Sequence, residues 1–147
     1  NMAYTTVNDP SKHFQGKTYT GTGSSLGVTF DGNSDLQPDW MWIKARSGNY
    51  SGRDHAAYDS SRGVSKRIEP SSTDAEASET SGMAFNSDGF TVGITVTVNT
   101  GFNYAAYCWN AGTGAGSSNT DGSINTTTTS VNTTAGLRLI NLNDLPF

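Results

Sequence analysis

Between Met83 and Ala111 the chain reads MAFNSDGFTVGITVTVNTGFNYAAYCWNA, and this stretch limits what the rest can form. Phe85 leads into Asn86-Ser87-Asp88-Gly89, a turn in which glycine takes a positive φ without steric cost. Phe90-Thr91-Val92-Gly93 then alternates large apolar with small or polar residues, the period of a half-buried strand. Farther on, Phe102, Tyr104, Ala106 and Cys108 share one face of a strand, and Asn103, Ala105, Tyr107 and Trp109 share the other. Aromatics on both faces predict a central strand covered on both sides.

The same two-residue period recurs along the chain. His13 to Thr20 is the first strand, and Leu26 to Phe30 the second, with Leu26, Val28 and Phe30 on one face. Trp40 to Arg46 sets Trp40 and Trp42 against Met41 and Ile43. Core packing is expected for the two tryptophans ahead of a sugar-stacking platform. His55 to Asp59 and Val64 to Ile68 read as shorter strands. Ser123 to Asn132, rich in threonine, suits an edge or exposed sheet, and Leu137 to Leu142 is a last strand. About nine short strands, turn signals every 8–12 residues or so and no amphipathic helix predict an all-β, antiparallel, two-sheet β-sandwich. Long loops between the strands favour jelly-roll topology. Residues 1–12 read as an extended arm, 13–136 as the sandwich, and 137–147 as a C-terminal strand and tail suited to contact between subunits.

A chain of 147 residues is the size of one domain with a real core. Its charged fraction of 15% lies well below the usual level of about 25%, and Ser, Thr, Asn and Gly supply the polarity instead. That balance suits an extracellular or virion-surface β protein. A net charge of −4 and a pI near 4.9, with no basic run, argue against a nucleic-acid or anionic-membrane partner. No apolar run approaches the length of about 18 residues that a membrane-spanning helix needs. Cys108 stands alone, so no internal disulfide forms, and its place in an aromatic strand predicts a buried apolar residue. No secretory signal pattern is visible, which fits a phage structural protein made in a host cytoplasm or a matured secreted protein.

Catalytic and metal motifs are weak. Asp31, Asn33 and Asp35 alternate like hard-oxygen calcium ligands, but Leu36 and Trp42 stand where an EF-hand needs Gly and Glu. A surface turn is expected there ahead of an irregular cation site. His55, Asp59 and Ser60 are the residue types of a hydrolytic triad. In a strand, however, His55 and Asp59 lie about 13 Å apart, and no nucleophile elbow surrounds the serine. Asp59 and Arg62 read instead as a structural pair at a strand end. The pair Gly21 and Gly23 lacks the Lys and hydroxyl residue of a phosphate loop. Residues 70–82 form a polar loop carrying Asp74, Glu76 and Glu79. No enzyme activity, cofactor or metal is expected. Asn49, Asn125 and Asn132 each begin an N-x-S/T sequon and are candidate glycosylation acceptors.

Six segments in order carry a family likeness: Asn8 to Gln15, Tyr19 to Gly23, Pro38 to Lys44, Tyr58 to Gly63, Phe85 to Gly93 and Tyr104 to Gly112. Together they resemble a domain common in tail-fibre and other virion proteins of marine and aquatic phages, over roughly residues 8–136. That family is similar to concanavalin and laminin-G sandwiches and carries no catalytic motif to transfer. The likeness implies a non-enzymatic structural or adhesive subunit of a virion appendage or extracellular fibril. Past Gly136 the pattern breaks. Where such proteins continue into a second sandwich, this chain has a strand and a short tail. The expectation is therefore a homo-oligomer or filament joined through terminal segments, with Tyr4, Val7, Leu137, Leu139, Leu142 and Phe147 as contact residues. The competing expectation is a carbohydrate-binding module that recognises a glycan with exposed, coplanar aromatics.

Overall fold

The structure, a computed structural model, describes residues 7–48, 54–79, 82–95, 97–121, 123 and 125–141. A single 3-10 turn, Pro10–Lys12, opens it. Asp9 lies in an extended conformation and its carboxylate accepts the Ser11 N–H at 3.0 Å, while Pro10 fits a position whose N–H has no partner to lose.

Twelve strands follow, and no α-helix is present among the described residues. They are β1 (Phe14–Thr20), β2 (Leu26–Val28), β3 (Trp40–Ala45), β4 (Ala56–Asp59), β5 (Lys66–Arg67) and β6 (Ala77–Ser78). Then come β7 (Ala84–Asn86), β8 (Gly89–Val92), β9 (Asn103–Trp109), β10 (Ser117–Asn119), β11 (Thr126–Asn132) and β12 (Leu137–Asn141). All pairings are antiparallel, in four sheets ordered β1-β9-β3-β4, β2-β8-β7, β10-β11-β12 and β5-β6. The expected all-β, antiparallel architecture is present.

Two sheets share the core. Met41 and Ile43 of β3, Tyr104, Ala106 and Cys108 of β9, and Ala56 and Tyr58 of β4 point inward from the four-stranded sheet. Val28, Phe90 and Val92 meet them from the β2-β8-β7 sheet. Tyr19 links the two layers, stacking on Tyr104 at 5.2 Å and meeting Phe90 edge-on at 5.8 Å. Tight turns shape the second sheet. At Gly89, with φ of 116°, a Cβ would strike the Val28 carbonyl oxygen, so only glycine brings β8 against the end of β2.

The third sheet sits on the body through side chain to backbone bonds. Ser130 Oγ donates to the Ala111 carbonyl at 2.6 Å, and Asn132 Nδ2 donates to the Asn110 carbonyl at 3.1 Å. The segment receiving these bonds is itself held by Asp39, which is fully buried. Its Oδ2 accepts the N–H groups of Ala111 at 2.8 Å and Thr113 at 2.7 Å. Its Oδ1 accepts Gly114 N–H at 2.7 Å and Ser60 Oγ–H at 3.0 Å. Burying a carboxylate is costly unless its lone pairs are filled, and here four donors fill them.

Three expectations are corrected. β9 is fully buried on one face and only partly covered on the other, where Trp109 is half-buried and Tyr107 is 47% exposed. Trp40 and Trp42 lie outside the core, on the outer face of β3, because Met41 and Ile43 take the inner one. The polar loop over 70–82 contains β6, and two of its three acids are engaged: Glu76 pairs with Arg62 at 2.9 Å, and Glu79 with Arg67 at 2.7 Å. The Asp59–Arg62 pair is as expected, with the guanidinium Nε donating to the carboxylate at 2.6 Å.

Candidate binding groove

The register of the four-stranded sheet sets aromatic rings in rows on its outer face. Phe14 of β1, Trp109 of β9 and Trp40 of β3 stand opposite one another, and Tyr107 stands opposite Trp42 one row on. Phe14 packs on Trp109 at 4.9 Å between ring centroids, and Trp109 meets Trp40 at 6.3 Å with an interplanar angle of 84°. Trp42 lies 5.4 Å from the His55 ring, and its indole Nε1–H donates to His55 Nδ1 at 2.8 Å. That bond places the imidazole proton of neutral His55 on Nε2.

β12 runs over this face. Pairing with β11 puts Leu137 and Leu139 beside Asn132 and Ser130, both buried, and puts Arg138 and Ile140 on the opposite, exposed side. Between strand and aromatic face lies a cavity of about 480 Å³, lined by Trp40, Trp42, Trp109 and Leu137 to Ile140. A second cavity of about 330 Å³ continues past Trp42 and Trp109 toward Lys44, His55 and Tyr107. The two share tryptophan walls and form one groove. Its lining is almost wholly apolar. A sugar ring entering it would give up hydroxyl hydration for few hydrogen bonds, whereas an apolar side chain would gain by leaving water.

Of the contact residues expected from sequence, Leu137 and Leu139 lie half-buried on the groove wall, and Val7 is half-buried at the other end of the chain. Tyr4, Leu142, Phe147 and the sequon residue Asn49 fall outside the described residues. Asn125 is exposed just before β11. Asn132 is 8% exposed, and its amide is engaged on both atoms: Nδ2 contacts His13 Nδ1 at 2.8 Å, and Oδ1 accepts Ala135 N–H at 3.0 Å. A glycan on Asn132 would cost that arrangement.

The triad types go separate ways. His55 accepts from Trp42, Asp59 holds Arg62, and Ser60 faces Asp39 and the Gly114 carbonyl. In the candidate calcium loop, Asp31 binds Lys17 at 2.8 Å, and that ammonium holds its carboxyl below the usual range. Burial pushes the Cys108 thiol well above its ordinary pKa, so it stays an inert core residue under ordinary conditions.

Sequence reasoning missed Asp39 and the outward setting of the tryptophans. The alternation of β3 separated Trp40 and Trp42 from Met41 and Ile43, yet both faces carry large apolar groups and nothing local says which is inside. A signal did exist at Gly112 and Gly116. A Cβ at either would strike a backbone carbonyl oxygen of β11, Val131 or Thr129, so these glycines mark where a further layer docks.

No curated protein and no solved structure matches the chain. A family model described as a domain of unknown function, DUF7483, matches residues 9–144. With that match spanning nearly the whole sequence, the chain belongs to the DUF7483 family.

Proposed function

We propose that this domain is a two-sheet β-sandwich of the jelly-roll, concanavalin-like class. In this reading it serves as a non-enzymatic structural or adhesive subunit of a virion appendage or extracellular fibril, and copies join through their terminal segments. The observation that carries the reading is the unfinished groove. Among the described residues β12 ends its sheet with no strand on its outer edge, directly above Trp40 and Trp109, and Ile140 beside it is 51% exposed. Open edges and uncovered apolar surface both favour association with another chain. Contacts that join one patch to a different one on the next copy grow a filament unless they close a ring. The resemblance to phage tail-fibre domains and the Ser/Thr/Asn/Gly-rich composition support the same setting.

Negative-stain electron microscopy and sedimentation velocity on the full chain test this. Fibres or defined oligomers are expected. A second reading, glycan recognition, draws on the exposure of Tyr107 beside Trp42. The 84° angle between Trp40 and Trp109 gives those two rings no common plane for a sugar. A monomer that binds on a glycan array would overturn the assembly reading in favour of this one.

A further inference from the structure

The chain has two histidines, and each meets, through Nδ1, a side chain that shapes the groove. Trp42, on the groove floor, donates its indole N–H to His55 Nδ1 at 2.8 Å. An indole nitrogen only donates, so this Nδ1 carries no proton. Asn132 Nδ2 lies 2.8 Å from His13 Nδ1, and Asn132 of β11 stands opposite Leu137 of the groove wall.

Backbone groups fix the roles at Asn132. Its Oδ1 accepts the Ala135 N–H at 3.0 Å, and its Nδ2 donates to the Asn110 carbonyl at 3.1 Å. Turning this buried amide over would set NH2 against an N–H and oxygen against a carbonyl. The nitrogen facing His13 is therefore a donor, and His13 Nδ1 is its unprotonated acceptor. The body grips His13 by its backbone. Its N–H donates to the Pro10 carbonyl at 2.9 Å, and its carbonyl accepts the Asn110 N–H at 3.0 Å. His13 thus ties the turn before β1 and the loop after β9 to the third sheet.

We propose that the two imidazoles form an acid-sensitive latch on the groove. Neutral, they hold the third sheet and Trp42 in place; protonated, they release both. An imidazolium carries a proton on each nitrogen, so each 2.8 Å bond becomes a meeting of two donors. Asn132 then keeps only its Asn110 contacts, at 3.1 and 3.2 Å. Nothing beside His13 is placed to take the new charge. Lys12 adjoins it, and Asp9 on the same turn accepts from Ser11 and Ser34. The side chains facing it from the loop after β9 and from β11 are the neutral amides of Asn110 and Asn132. Asp39, which binds the next residue, Ala111, is closed by its four donors. Around His55 stand Asp54, which accepts from Ser71 Oγ at 3.4 Å, and Lys44, which shares the smaller cavity with Tyr107. An ordinary imidazole titrates near pH ~6.5, far above the carboxyls. Each bond is complete at higher pH, where the ring is neutral, and is lost as pH falls through the imidazole range. All these contacts lie within one copy, so the latch is independent of assembly.

NMR on the full chain at one fixed concentration, from about pH 8 to about pH 5, tests the latch. Ring nitrogen shifts should show both neutral imidazoles protonated on Nε2. As the rings take up protons, the Trp42 indole and Asn132 amide signals should move with the same midpoints. Protection of the β11 amides, corrected for intrinsic exchange, should fall by about tenfold or more while β3 and β9 stay protected. His13→Gln, which does not titrate, should remove the fall in β11, and His55→Gln should leave that fall in place. Rings protonated on Nδ1 in the neutral form would overturn the inference. So would rings that remain neutral at the acid end, or that protonate while β11 keeps its protection. An undiminished fall in the His13→Gln variant would overturn it as well.

Discussion

Trp40 and Trp109 meet edge to face, 6.3 Å between ring centroids, on the outer surface of a sheet whose inner surface buries Met41 and Cys108. The same two strands therefore present one apolar face that is filled and a second that the described residues cover only in part. Stability and association should separate between those faces.

Met41→Ala removes a fully buried side chain and should destabilise the fold by about 2–5 kcal/mol, read by chemical denaturation. Leu139→Ser, on the groove wall, should cost less in the same measurement yet abolish concentration-dependent sedimentation. Equal loss of stability in both variants would contradict the separation of the two faces.

Asp39→Asn should be among the most damaging polar substitutions. The carboxylate accepts from Ala111, Thr113, Gly114 and Ser60, and an amide there turns an NH2 group toward these donors. The expected cost is about 2–5 kcal/mol by denaturant titration, because buried backbone donors lose their acceptor. Thr113, held at a φ of 63°, should shift most in an amide NMR spectrum.

Much of this organisation is legible in the sequence, for local reasons. The alternation in Trp40 to Ala45 and in Asn103 to Trp109 marks β3 and β9, and Asn86-Ser87-Asp88-Gly89 marks the turn between β7 and β8. Asp59 and Arg62 are close enough in sequence for their pairing to be read directly. Asp39 is not legible, since an aspartate after a proline looks like any turn residue and its partners at Ala111 to Gly114 lie more than 70 positions away. β5 lies within the strand read over Val64 to Ile68, whereas β6 escapes notice because it has two residues and little apolar content; the two are joined by the Arg67–Glu79 ion pair. The groove is hidden for a third reason. It arises where a sheet formed late in the chain folds over strands formed early, and no single segment records that contact.

Gly112→Ala and Gly116→Ala test how closely that late sheet docks. Both glycines have positive φ, and a Cβ would meet a β11 backbone oxygen at 2.5 Å and at 2.1 Å respectively. Each substitution should loosen the sheet from the body, seen as faster amide exchange in β11, with little change in the amides of β3 and β9.

Acid should release the segment that carries Asp9. Hydrogen bonds from Ser11 and then Ser34 hold its carboxyl below the ordinary value of 3.8, and the Lys17 hydrogen bond does the same for Asp31. A depressed folded-state pKa stabilises the fold in full above the unfolded value. That contribution is lost as pH falls through the lowered one. NMR titration should show both carboxyls protonating below 3.8, with Ser34 and Gly32 amides shifting alongside them. Titration at or above 3.8 would contradict these contacts.

Cys108 should resist thiol reagents in the native chain and react in full once denaturant unfolds it, because burial both excludes the reagent and keeps the thiol protonated. Rapid native labelling would contradict its place on the inner face of β9.

The most direct test of the groove as a docking surface is hydrogen exchange at the backbone amides of Leu137 to Asn141, measured by NMR or mass spectrometry across a dilution series. A strand added to the edge of β12 predicts protection at high concentration that disappears on dilution, while amides in β3 and β9 stay protected throughout. Exchange in β12 that is independent of concentration would contradict the account.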